Sequence, residues 1–116
     1  MNSQLFSKGQ VALITGAALG IGRATAIEFV KRELSVAVVD LPGEDLTALV
    51  EELNSIAGSA QVLSIPADLA QPNSVSEIQS AVESRFGHIN VLMNNAVTRD
   101  GRTFDGRLNS GNICLI

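Results

Sequence analysis

The 116-residue chain has no tyrosine, no tryptophan and a single cysteine. Without a phenol it cannot use a tyrosine for proton transfer. The lone Cys114, in "NICLI", excludes an internal disulfide and reads as a small buried hydrophobe, so a reducing, cytoplasmic setting is expected. No apolar run approaches the ~18 residues of a membrane span. The opening "MNSQLFSKGQ" lacks a basic segment followed by a long apolar stretch, so no signal peptide is expected. Basic residues are in the minority, 8 Lys and Arg against 12 Asp and Glu, and they form no cluster. That balance argues against nucleic acid and anionic membranes as partners. No metal site is expected.

What is present is a regular alternation. "VALIT" (11–15) is a short apolar run stopped by Gly16, as in a buried strand. From Gly20 the residues Ile21, Ala24, Thr25, Ile27, Phe29 and Val30 suit a helix. "VAVVD" (36–40) is again continuous, β-branched and apolar. Leu46, Leu49, Val50 and Leu53 recur at helical spacing and predict a helix over 43–57. "AQVLSI" (60–65) predicts a third strand, and Pro72 sits where a first helical turn begins. Val75, Ile78, Val82 and Phe86 continue that helix, Gly87 closes it, and "INVLMN" (89–94) predicts a fourth strand. The order β-α-β-α-β-α-β implies an α/β fold, a doubly wound sheet of parallel strands covered on both faces.

Gly16, Gly20 and Gly22 fall within the seven residues that join the first strand to the first helix. Glycines there let a helix N-terminus come close to a pyrophosphate, whose charge the uncompensated amides and the helix dipole favour. Asp40 ends the second strand, 18 residues after Gly22. A carboxylate in that place accepts hydrogen bonds from the ribose hydroxyls of NAD and repels the extra phosphate of NADP. None of Ala18, Leu19 and Leu41 offers a cation to offset that repulsion. His88, in "FGHIN", reads as a solvated turn residue.

The segments "TGAALGIG" (15–22), "DL" (68–69) and "NNAV" (94–97) together resemble the T-G-x-x-x-G-x-G, D-[VL] and N-N-A-G signatures of the short-chain dehydrogenase/reductase family. The resemblance covers about residues 8–97. It implies a Rossmann-like sheet and an oxidoreductase that uses NAD or NADP, and Asp40 selects NAD. It further implies cofactor contacts from Gly16, Gly20, Gly22 and the Ile21 backbone at the phosphates. Asp68 and Leu69 then sit at the adenine, Asn94 and Asn95 contact the cofactor ribose, and Ala96 counts among the cofactor contacts. Thr15 ties the loop, and Asn94 fixes the end of the fourth strand.

The departures matter equally. The family has glycine where Val97 stands, and a β-branched residue there resists positive φ and crowds a cofactor passing over the strand end. Beyond Val97 the family's Asn, Ser and Tyr-x-x-x-Lys elements find no match, so no catalytic residue is assigned. Residues 1–97 read as the N-terminal part of a dinucleotide-binding domain, and residues 98–116 as an irregular tail. The expectation is a truncated family member without turnover by itself. The alternatives are a cofactor-binding or subunit-interaction module, and a non-functional fragment. With no fifth parallel strand, "INVLMN" is expected at an exposed edge, which invites self-association or pairing with a full-length family partner.

Overall fold

A computed structural model of the chain describes residues 6–95 and a strand at 112–115. The elements run β1 (Val11–Thr15), α1 (Gly20–Lys31), β2 (Ser35–Asp40), α2 (Glu44–Ala57), β3 (Val62–Pro66), α3 (Ser74–Phe86), β4 (Val91–Asn94) and β5 (Asn112–Leu115). They form one sheet in the order β3-β2-β1-β4-β5. The first four strands are mutually parallel, as their continuous apolar runs predict. All five residues of β1 and four consecutive residues of β2 are buried, which requires cover on both faces.

The two faces carry separate cores. Ala12, Ile14, Val36, Val38, Val91 and Met93 point one way and pack under α1 and α2, against Phe29, Val30, Leu46, Leu49 and Leu53. Val11, Leu13, Ala37 and Val39 point the other way and meet Ile78 and Val82 of α3. Full burial of such a side chain stabilises by about 1.5–3 kcal/mol, so the strands are held chiefly by what covers them.

Element boundaries shift where local polar chemistry intervenes. β3 begins at Val62 rather than Ala60, because Ser59–Gln61 forms a short 3-10 turn. The Arg85 side chain donates to the Ser59 and Ala60 carbonyls of that turn. Helix α3 begins at Ser74, two residues past Pro72. The chain turns first: the Gln71 carbonyl accepts from both the amide and the hydroxyl of Ser74. β4 begins at Val91 because Asn90 ties the chain to β1 from both sides. Its Oδ1 accepts from Val11 N at 2.8 Å, and its own N donates to Val11 O at 2.8 Å.

The largest departure from expectation concerns β4. It is not an edge: β5 pairs with it in antiparallel register, Asn94 opposite Asn112 and Val91 opposite Leu115. A parallel partner would need a crossover of a dozen or more residues, usually helical. An antiparallel one needs only a return of the chain at the same end of the sheet. Asn95 and Asn112 therefore both stand at the carboxyl end of the parallel strands. No helix of the described residues is long and apolar enough to cross a membrane.

Candidate functional site

The parallel register brings the carboxyl ends of β1 to β4 into one line. Thr15 lies opposite Val39 and Asn94, and Asp40 lies opposite Pro66. β1 is the strand from which the sheet grows to both sides, to β2 by way of α1 and to β4 after α3. Its carboxyl end is thus the switch point at which open α/β sheets bind ligands. Gly16, Gly20, Ile21 and Gly22 occupy that position.

Two glycines of the loop need their freedom in different ways. Gly16 turns the chain out of β1 at φ 65°. Gly22 is buried, and a Cβ there would lie 2.3 Å from the Gly16 carbonyl oxygen. The first turn of α1 therefore packs directly on the end of β1. Helix α1 enters at Leu19 with no side-chain cap and no acid in its first turn, unlike α2, which carries Glu44 and Asp45 there. The amides and positive dipole end of α1 are left to an anion.

The loop is fastened from both neighbouring strands. From β2, the Asp40 carboxylate accepts from Ala18 N through Oδ2 at 2.9 Å and from Leu41 N through Oδ1 at 2.8 Å. Ala17 N donates to Val39 O at 3.1 Å. From β4, Asn95 Nδ2 donates to Gly16 O at 3.2 Å, and Asn95 N donates to Thr15 Oγ1 at 3.1 Å. Thr15 Oγ1 also meets Asn94 Oδ1 at 3.5 Å, and both residues are buried.

Asp68 follows β3, one strand further out. It is exposed, and its Oδ1 accepts from Ala70 N at 2.9 Å, which forms an Asx turn. Leu69 packs half-buried against the α3-side core. Asp68 borders a groove of about 380 Å³ between β3 and α3, with Ile65, Gln71 and Ile78 among its walls. Ala67 N donates to Asp40 O, so the strand ends carrying the two aspartates are joined. Ala96, and Val97 with its expected crowding, lie outside the described residues. His88 is exposed.

The sequence did not announce two features of this region. Leu19 and Ile21 stand 61% and 70% exposed, with Leu41 also exposed, so large apolar side chains ring the loop on the solvent side. Arg23, the cation nearest the loop in the chain, is held by Glu52 of α2 at 2.9 Å. The i, i+3 and i, i+4 spacing within one helix cannot reveal a pair made between two helices.

A model of the short chain dehydrogenase family matches residues 10–110. The chain belongs to that family. Among family members, it is 40% identical over 90 residues to L-rhamnose-1-dehydrogenase of Scheffersomyces stipitis, a match covering 76% of this chain and 35% of that enzyme. L-sorbose reductase from Gluconobacter frateurii, solved with NADPH and L-sorbose, superposes with a TM-score of 0.73 at 34% identity. That superposition covers 81% of this chain and 35% of the reductase. A Burkholderia phymatum family member solved in complex with NAD gives a TM-score of 0.72 at 28% identity, covering 78% of this chain and 31% of the other. The chain spans about a third to a half of the length of the family relatives it matches. Two of these family structures hold a dinucleotide, and a dinucleotide is the cofactor that the built site suits.

Proposed function

We propose that this chain is the dinucleotide-binding half of a short-chain oxidoreductase, that it prefers NAD to NADP, and that these 116 residues do not turn over substrate by themselves. The observation that supports the reading best is the uncapped, acid-free start of α1, set one residue beyond an exposed Leu19 on a loop fastened to β2 and β4. An anion there gains the helix amides without meeting a fixed negative charge in the first turn.

The reading gives each site residue a role. Gly16, Gly20, Gly22 and the Ile21 backbone hold the pyrophosphate. Asp40 receives the adenosine ribose: a carboxylate has about four lone-pair directions, and the Ala18 and Leu41 amides take two of them. Asp68 and Leu69 flank the adenine, Asn95 reaches the inner ribose, and Ala96 completes the cofactor contacts. Residues 1–97 form the N-terminal part of the dinucleotide-binding domain, and the stretch after them is not the wholly irregular tail expected, since residues 112–115 add strand β5 to the same sheet. When bound, NAD supplies the hydride-accepting ring. This chain contains no tyrosine to move the accompanying proton.

Preference for NAD has two supports. Asp40 would oppose a 2′-phosphate, and Arg23, which could offset it, is paired with Glu52. Calorimetric titration with NAD and NADP tests the reading. Binding of NAD at least several-fold tighter than NADP is the expected result. Tighter NADP overturns the preference, and binding of neither overturns the function.

The partner is a further copy of this chain or a full-length relative. Among the described residues α3 alone covers the face of the sheet that carries Leu13, Val39 and half-buried Leu92. Sedimentation velocity should show association that grows with concentration, and a monomer at every concentration would contradict it.

A further inference from the structure

Asp40 is engaged by the chain's own backbone. Its two carboxylate oxygens accept from Ala18 N and Leu41 N. The first of these bonds spans 22 positions and joins the end of β2 to the middle of the glycine loop. We propose that Asp40 is a positioning residue, a clasp that sets the anion-binding shape of the loop, in addition to any contact with a ribose. The proposal deepens the dinucleotide reading above and rests on it.

The physical argument starts at Ala18. The residue is buried, so an amide that lost its carboxylate partner there would be left unsatisfied, and the peptide would turn to find another acceptor. The neighbouring restraints cannot prevent that turn. Ala17 N is held by Val39 O and Gly16 O by Asn95 Nδ2, both upstream of the Ala18 peptide. Downstream come Leu19 and Gly20, the exposed entry to α1, and Gly20 has nothing within 4 Å of where a Cβ would stand. A rotated Ala18 peptide would therefore redirect the first amides of α1, the groups offered to a pyrophosphate.

The clasp and a simple charge effect have opposite signs. Removing a carboxylate near an anion site should strengthen anion binding if charge alone matters. Removing a clasp should weaken it. Inorganic pyrophosphate is the discriminating probe, because it has no ribose for Asp40 to contact.

The test uses the full 116-residue chain and its Asp40→Ala and Asp40→Asn variants. Amide exchange at Ala18 is followed by NMR, with Val38 and Val91 amides as the control for folding, and pyrophosphate is titrated into each protein. Exchange at Ala18 should accelerate about tenfold in Asp40→Ala, the loss expected for one charge-assisted hydrogen bond. In Asp40→Asn, which keeps an acceptor, it should accelerate less. Pyrophosphate should bind more weakly to Asp40→Ala than to the parent chain. Unchanged Ala18 exchange in a folded variant overturns the clasp, as does tighter pyrophosphate binding. If Asp40→Ala does not fold, Asp40→Asn decides on the same two readings. If the parent chain binds neither pyrophosphate nor NAD, the dinucleotide reading fails, while Ala18 exchange still decides the clasp.

Discussion

A β-carbon at Gly22 would fall 2.3 Å from the Gly16 carbonyl oxygen and 3.0 Å from Asn95 Nδ2. Neither neighbour can retreat easily, since the first is backbone and the second is bonded to that same oxygen. Gly22→Ala should therefore push α1 off the end of β1, cost about 1–3 kcal/mol and weaken NAD by more than tenfold. Denaturant melts and calorimetry would check both. Gly20→Ala offers a contrast. It has open space but sits at φ 62°, so it should cost about 1–2 kcal/mol of backbone strain without steric collision. At Glu33 the argument reverses. Its φ of 69° puts a side chain in left-handed backbone just past α1. Its ion pair with Lys8, 3.8 Å long between exposed groups, contributes little. Glu33→Gly should stabilise by about 0.5–1 kcal/mol once the flexibility of glycine in the unfolded chain is counted. A lowered denaturation midpoint would contradict this. The glycine positions could be read from the sequence because Gly16 and Gly20 answer to a local backbone need and Gly22 to close packing within the same short loop. The bond from Asp40 to Ala18 could not, because two residues far apart in the chain meet only once β1 and β2 are paired.

At the scale of elements, the alternating apolar runs and helical stripes located every parallel strand and helix to within about two residues. Two of the misplaced ends are settled by side chains reaching from elsewhere, Arg85 to the 3-10 turn and Asn90 to β1, and the third, the start of α3, by the local turn at Gln71 and Ser74. Strand β5 shows a different limit. "NICLI" reads as structure, but its direction does not, because no helical stripe precedes it to mark a parallel crossover, and one short apolar run fits either direction. In the sheet β5 gives β4 a second neighbour. A chain ending at residue 111 would expose the backbone groups of β4, and exposed edges recruit other chains. That shortened chain should associate more strongly than the parent in sedimentation velocity. Equal association of the two would show that β5 does not shield β4.

For the whole molecule, the two cores on opposite faces of one sheet set the stability. Leu49, on the buried face of α2, is fully buried in the larger core. Leu49→Ala should cost about 2–5 kcal/mol, a large part of the stability of a domain this small, and calorimetry would register a broadened or absent transition. The order of the sheet also bears on how the chain comes to be folded. β1 precedes both of its neighbours in sequence, yet it lies between them, and its link to Asn90 closes a loop of 79 residues. While the polypeptide is being synthesised, the most apolar strand waits with one side unpaired until β4 has emerged. Distant parallel pairings of this kind form late and slowly, and the exposed strand is open to wrong partners meanwhile. Newly made chains should therefore depend on chaperones for the interval in which β1 is complete and β4 is not.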